Sequence, residues 1–266
     1  MSEWISAIIL GAIQGLTEFL PISSSGHLAL FQQFLPTPSD PLFFDLVLHL
    51  GSLVPVLYLY RSAIGEIIRD CLRFSSEYWN QSGVRLAIAV CLGSVPTAVI
   101  GLLFEDVISA MFHAPETLAI SFAVTGFVLW FTRKLVPGKM ALHEFPWWLP
   151  LVIGLAQGFA VTPGISRSGS TIAAALYLGV NRELAAKFSF LLSIPAILGA
   201  FLLKARKAAL VDSQLGIYIV GALVAAAVGY LALKVLVRLV KQGQFHHFSW
   251  YLWTVAVGAL TLGILQ

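Results

Sequence analysis

Long apolar runs dominate the chain, and its polar residues gather in a few tight groups between them. Apolar stretches lie near residues 44–60, 86–104, 117–132, 188–203, 215–237 and 250–265. Several approach the ~20 residues that a helix needs to cross the hydrocarbon core of a bilayer, so each of these stretches is expected to be a membrane span. Residues 4–35 and 147–180 are also apolar, but Pro, Gly and Ser break both in the middle. Each piece is too short to span. Both regions are therefore read as re-entrant helical hairpins, turning at Pro21 and at Pro163-Gly164. Non-helical backbone at that depth survives only where protein buries it or where it lines a polar cavity.

The two broken regions are related. GAIQGLTEFLPISSSGHL (11–28) lies over GLAQGFAVTPGISRSGST (154–171) at a constant offset. Gly11, Gln14, Gly15, Ile22, Ser23, Ser25 and Gly26 match Gly154, Gln157, Gly158, Ile165, Ser166, Ser168 and Gly169. Chance likeness between apolar helices does not account for matches that fall on glycines and polar residues. Three spans follow each hairpin, and an odd number of crossings inverts the second half relative to the first. The predicted fold is an all-α polytopic membrane protein, one integral membrane domain built as an inverted repeat. Residues 1–140 form the first half and 141–266 the second, each a hairpin plus three transmembrane helices, a plan common among transporters.

Composition agrees with this picture. Of 266 residues 58% are hydrophobic and 11% charged, against about 25% charged in soluble domains, and the mean hydropathy is +0.87. A soluble enzyme with one anchor is excluded. The net charge of +3 is small and its basic residues scattered, which argues against nucleic acid as a partner. Cys71 and Cys91 make neither a metal-ligand spacing nor a disulfide framework and are read as packing residues. The first residues hold Glu3, no Lys or Arg and no small-residue cleavage site, so no secretory signal is expected.

Charge also orients the chain. With each hairpin returning to the face it entered, Arg61, Arg69, Arg73, Arg85, Arg133, Lys134, Lys139, Arg182, Lys187, Lys234, Arg238 and Lys241 fall on one side. The side of the amino terminus receives only Lys204, Arg206 and Lys207, together with Glu105, Asp106 and Glu116. By the positive-inside rule the first side is cytoplasmic. The first hairpin then opens to the outer face and the second enters from the cytoplasm.

The repeated turns carry the candidate chemistry. Each restarts as a helix behind Ser-x-Ser-Gly, and serine is a good N-cap whose helix leaves N–H groups free for an anion. Arg167 adds a planar fork suited to phosphate. An unpaired Arg in hydrocarbon costs about 2.5–3.5 kcal/mol or more, so it should face a polar cavity or a partner. Gln14 and Glu18 lie one helical turn apart on one face, and Ser24 and His27, three apart, suit a nucleophile and a base. Plainer uses exist: serines in membrane helices cap or bond carbonyls, and a lone His or Glu can satisfy a buried partner. Asp45 and His49, one turn apart, either line the same cavity or form an ordinary buried pair. His246 and His247, beside Trp250, Tyr251 and Trp253, read as an interfacial belt.

With these motifs the chain resembles the undecaprenyl-diphosphate phosphatases, also called the bacitracin-resistance family. QGLTEFLPISSSGH (14–27) matches the family's (Glu/Gln)-x-x-x-Glu segment and the Ser-Ser-x-Gly-His that follows it. PGISRSGST (163–171) matches its Pro-Gly-x-Ser-Arg-Ser-x-x-Thr segment, and the spans fit over essentially the whole chain. Gln14 stands where many members have Glu. The resemblance implies an enzyme of the bacterial cytoplasmic membrane that removes the terminal phosphate of a C55 polyprenyl diphosphate. It thereby recycles the lipid carrier for cell-wall synthesis and confers bacitracin resistance. It further implies dependence on magnesium or calcium, a homodimer, and an active site open to the outer face.

On that reading the diphosphate sits between the hairpin tips and its prenyl tail leaves sideways into lipid. Glu18, helped by Gln14, holds the cation, since hard oxygen ligands suit magnesium. Ser24 is the expected nucleophile and His27 its proton acceptor; attack by His27 itself or by a metal-bound water stays open. Arg167, with Ser23, Ser25, Ser166, Ser168 and Thr171 as further binding groups, would stabilise the phosphoryl oxygens. The rival readings are a lipid-phosphate flippase or small-anion transporter, which needs no nucleophile–base pair, and an intramembrane serine protease, which Arg167 and Glu18 suit poorly.

Overall fold

Residues 2–73, 78–111, 115–205 and 214–265 are described by a computed structural model, and among them the chain is helical apart from a lone bridge between Met140 and Val180. Arg206 and Lys207, two of the basic residues assigned to the outer side, lie outside the described residues. From the amino terminus, α1 (Glu3–Phe19) and α2 (Ser24–Phe31) form a hairpin, followed by α3 (Pro41–Leu59), α4 (Arg61–Leu72), α5 (Ser82–Leu103), α6 (Glu105–Met111) and α7 (Pro115–Phe131). A second hairpin, α8 (Leu149–Phe159) and α9 (Arg167–Tyr177), precedes α10 (Arg182–Ala205), α11 (Leu215–Lys241) and α12 (Phe248–Leu265).

Helices α3, α5, α10 and α11 are long and apolar enough to cross a bilayer. Helices α7 and α12, 17 and 18 residues long, occupy the other two predicted positions and reach roughly 26 Å at the usual rise per residue. Local chemistry sets the boundaries. The Asp40 carboxylate accepts from the Phe43 N–H at 3.0 Å, and Pro41 takes a first-turn position where no N–H is required. Asn181 accepts from the Leu184 N–H at 2.9 Å. This cap starts α10 at Arg182, ahead of the apolar run expected from 188, so boundary and hydrophobic pattern separate there. Two helices were not expected. Helix α4 carries Arg61, Glu66, Arg69 and Asp70, and is fastened to the start of α5 where Asp70 accepts from the Gly83 N–H at 3.0 Å and Ser82 donates to Glu66. Its polarity hid it from a search for apolar runs; α6 is too short to register.

Polar residues are inside and apolar ones outside. Gln14, Ser52, Thr97, Thr125, Gln157, Ser189 and Ser193 are buried, whereas Ile8, Val54, Val95, Leu103, Leu223 and Val257 are exposed. In water that arrangement would strand a large apolar surface; in lipid it costs nothing. The protein is an integral membrane protein.

Close helix packing depends on small residues, as expected where no hydrophobic drive separates helix from lipid. Helix α1 lies along α11, and α8 along α5. A Cβ on Gly11 would stand 2.5 Å from the Gly221 carbonyl oxygen, and one on Gly154 would collide with the Gly93 carbonyl. Thr97 donates across the second contact to the Gly154 carbonyl at 3.0 Å. Each hairpin thus rests on a helix from the other half of the chain. The central core joins Phe19 and Ile22 of the first hairpin to Phe122, Ile172, Phe190 and Leu233.

Candidate active site

The matched serines make matched contacts. Ser23 Oγ accepts from the Gly26 N–H at 3.3 Å and Ser166 Oγ from the Gly169 N–H at 3.0 Å. Ser23 Oγ lies 3.3 Å from Ser25 Oγ, and Ser166 Oγ 3.3 Å from Ser168 Oγ. The tips meet: Ser168 donates to the Leu20 carbonyl at 3.4 Å, and a Cβ on Gly26 would stand 2.9 Å from Gly164 Cα. Gly164, with φ of +88°, makes the second turn in a conformation that favours glycine. Capping leaves the first-turn N–H groups of α2 and α9 without helical partners.

Glu18, at the end of α1, is the focus of the contacts. Its Oε2 accepts from Ser24 Oγ at 2.5 Å and from Gln14 Nε2 at 3.0 Å, and its Oε1 accepts from Arg167 Nη2 at 2.5 Å. Ser24 and Arg167 occupy the same position of the repeat, the first residue of α2 and of α9, and converge on one carboxylate. Helix α3 closes the third side, with His49 Nε2 3.5 Å from Glu18 Oε2 and Ser52 accepting from Gln14 at 3.5 Å. The side chains of Glu18 and Arg167 are only 6% and 16% exposed. Burying such a pair carries a heavy desolvation cost, met here by mutual attraction and by additional hydrogen bonds. Of the side chains that bond Glu18, two keep a buried polar atom without a hydrogen-bond partner, Arg167 Nη1 and Gln14 Oε1. An unpaired buried donor or acceptor normally costs about 1–3 kcal/mol. A cationic donor and an acceptor oxygen on two side chains that meet at Glu18 suit a ligand that is anionic and brings its own positive counter-charge.

His27 departs from expectation. Its Nδ1 meets the Ser23 carbonyl at 2.8 Å and its Nε2 the Tyr251 hydroxyl at 2.7 Å, so both ring nitrogens are occupied and neither takes the Ser24 hydroxyl. Three residues apart on a helix puts two side chains on one face, but the carboxylate across the turn is the nearer acceptor for Ser24. In this structure the Ser24 hydroxyl bonds Glu18 and not the expected His27. The other predicted binding groups divide by position. Ser23 and Ser166 cap, Ser25 stays beside Ser23, and Ser168 ties the tips. Thr171 bonds the Arg167 carbonyl at 2.8 Å and Ser189 Oγ at 2.5 Å.

The chain matches the protein family described as Bacitracin resistance protein BacA over residues 7–258. The chain belongs to that family. Among its relatives the undecaprenyl-diphosphatase of Carboxydothermus hydrogenoformans is 43% identical, with 96% of each chain covered. That of Desulfosudis oleivorans is 43% identical with 98% of each covered. That of Alkaliphilus metalliredigens is 39% identical, over 97% of this chain and 98% of its own. Family membership spans both hairpins and both sets of helices, so the site around Glu18 lies wholly within the shared region.

Three residues escaped the motif reading. His49 was visible only as half of an Asp45–His49 pair; it is His49 that reaches Glu18, while the Asp45 carboxylate accepts from Gln32 at 2.6 Å. Ser52, one turn further on α3, carried no signal of its own. Tyr251 was hidden among the aromatics at the start of α12. Trp130, Trp250 and Trp253 do cluster, with Arg133 stacked 3.8 Å above Trp130, but the hydroxyl of Tyr251, itself 44% exposed, reaches His27.

Proposed function

We propose that this protein hydrolyses undecaprenyl diphosphate to undecaprenyl phosphate and inorganic phosphate, the reaction named by its relatives, at the Glu18 centre. The observation that carries this reading is the joint geometry at Glu18: a serine hydroxyl 2.5 Å from Oε2 and, on Oε1, an arginine whose second terminal nitrogen is buried and unpaired. A transporter site would need the arginine but not the activated hydroxyl.

Ser24 Oγ attacks the terminal phosphorus while its proton passes to Glu18 Oε2. The bond from that phosphorus to the bridging oxygen breaks, and undecaprenyl phosphate leaves. Water then attacks the phosphoserine, Ser24 Oγ leaves and regains the proton held by Glu18, and phosphate departs. Arg167 Nη1 supplies a fixed donor to the phosphoryl oxygens throughout. Preorganised donors of this sort are the main protein contribution to phosphoryl transfer. His27 serves this chemistry from behind the turn.

The donor set also fits a divalent cation. Glu18 and the unpaired Gln14 Oε1 offer two hard oxygens, and among the described residues no group of three His, Cys, Asp or Glu could hold an ion unaided. That suits magnesium or calcium arriving with the diphosphate, since magnesium commonly takes one or two carboxylates plus substrate phosphates. Glu18 and Gln14 would hold the ion, which would neutralise phosphate charge.

The paired caps and the exchanged glycine contacts support an inverted repeat of two re-entrant hairpins, with the site open to the outer face of the bacterial cytoplasmic membrane. Its role there is to recycle the carrier lipid for cell-wall synthesis and to confer bacitracin resistance. The homodimer rests on the family resemblance. The test is phosphate release from undecaprenyl diphosphate by purified protein with and without a chelator. Release that the chelator stops supports the reading, and no release by folded protein with magnesium present overturns it.

A further inference from the structure

The two hairpin tips differ in backbone: Gly164 takes a positive φ where Pro21 stands in the first tip, and the capping serines differ as well. Ser166 caps α9 with ordinary dihedrals, φ −76° and ψ 118°, whereas Ser23 caps α2 at φ 68° and ψ 101°. Ser23 is the one non-glycine with positive φ among the described residues, a region that L side chains avoid. Something must hold it there. The position matching Ser170 in the first tip is His27, and His27 grips the Ser23 carbonyl twice, through its own N–H at 3.2 Å and through ring Nδ1 at 2.8 Å. A carbonyl only accepts, so Nδ1 carries the proton. The ring is 4% exposed, Phe122 lies edge-on at 5.3 Å, and neither nitrogen meets a carboxylate. A neutral ring protonated on Nδ1 leaves Nε2 bare, and the Tyr251 hydroxyl fills it at 2.7 Å with its ring stacked at 5.7 Å.

We propose that Tyr251 is a positioning residue for phosphoryl transfer: by donating to the Nε2 of the Nδ1–H ring that the Ser23 carbonyl selects, it anchors His27 against Ser23, holds that residue in its left-handed turn and so aims Ser24 at Glu18. The second tip is secured in a corresponding way from the other half, where Thr125 of α7 accepts from the Ser166 N–H at 3.2 Å. Only the first tip, with the reactive serine, adds a titratable ring between the clamp and the backbone. The Ser23 carbonyl sets the tautomer and leaves Nε2 as an acceptor, so one hydroxyl on α12 anchors the ring beside the serine at sequence position 24. His27 thereby acts through Ser23 and not as the proton acceptor.

This inference rests on Ser24 being the nucleophile, and its test separates the two. Tyr251→Phe keeps the stacked ring and removes only the hydroxyl. Its kcat should fall about tenfold at unchanged KM, the usual scale for leaving a buried acceptor unpaired. In nitrogen-labelled protein the His27 Nε2 signal, assigned by its loss in His27→Asn, should shift from that of a hydrogen-bonded acceptor to that of a bare ring nitrogen while Nδ1 keeps its proton. Asparagine places a donor where Nδ1 sits and glutamine where Nε2 sits, so His27→Asn should retain at least about ten times the turnover of His27→Gln, again the scale of one buried hydrogen bond. Wild-type kcat in Tyr251→Phe, a loss of kcat with the His27 Nε2 signal unchanged, or equal losses in the two His27 variants would overturn the proposal. If Ser24 were not the nucleophile, the wild-type enzyme would turn over without a phosphoserine, a result independent of Tyr251.

Discussion

Replacing Arg167 by lysine keeps the charge and removes the fork. In the folded protein Nη2 lies 2.5 Å from Glu18 Oε1, while Nη1 is buried without a partner. One guanidinium can therefore hold the carboxylate and a phosphoryl oxygen at once. A lysine ammonium is a point charge on a flexible stem, able to satisfy Glu18 or the phosphate in good geometry but not both. Removing one donor that acts in the transition state costs about 2.7–4 kcal/mol, or ~10²–10³ in turnover. Arg167→Lys should remain folded, because the buried Glu18 still has a cation, and should lose at least about a hundredfold in kcat by that same donor loss. The assay is phosphate release by purified protein at saturating undecaprenyl diphosphate, with thermal unfolding measured alongside. Arg69→Lys, exposed on α4, is the control and should match wild type. Near-normal turnover in Arg167→Lys would refute the clamp and leave Arg167 a structural partner of Glu18.

Glu18→Gln should abolish turnover and also destabilise the fold, because the arginine would remain buried without its counter-charge. Breaking a buried pair from one side typically costs about 3–5 kcal/mol, and a melting temperature equal to wild type would show that Arg167 finds another partner. Sidedness is open to thiol labelling in a background lacking Cys71 and Cys91. A cysteine at Glu116 should react with an impermeant reagent outside intact cells and one at Lys139 should not; both positions are exposed, and the reverse pattern would turn the site to the cytoplasm.

The spans were legible because hydropathy and length are what the bilayer demands. Boundaries were less so, since Asn181 starts α10 ahead of the apolar run and the polar α4 gives no hydropathy signal at all. The meeting of Glu18 and Arg167, 149 residues apart, could be anticipated because the repeat aligned their turns. Ser24 and Glu18, six apart, required more: the positive φ of Ser23 decides which way the hydroxyl faces, and no pattern of residue types encodes it. The His27–Tyr251 bond joins residues 224 apart with no counterpart at the matching serine of the second tip. Its tyrosine was also camouflaged by two neighbouring tryptophans, Trp250 and Trp253. Helical spacing therefore pointed Ser24 at His27, whereas its hydrogen bond goes to Glu18 across the turn.

The central claim is that Ser24, activated by Glu18, carries the phosphoryl group. It is tested most directly by rapid-quench single turnover with undecaprenyl diphosphate labelled in its terminal phosphate, followed by peptide mapping. The account predicts a transient label on Ser24 that forms before free phosphate and decays into it, absent in Ser24→Ala. Phosphate released at the wild-type rate with no label on Ser24, or with the label on His27, would contradict it.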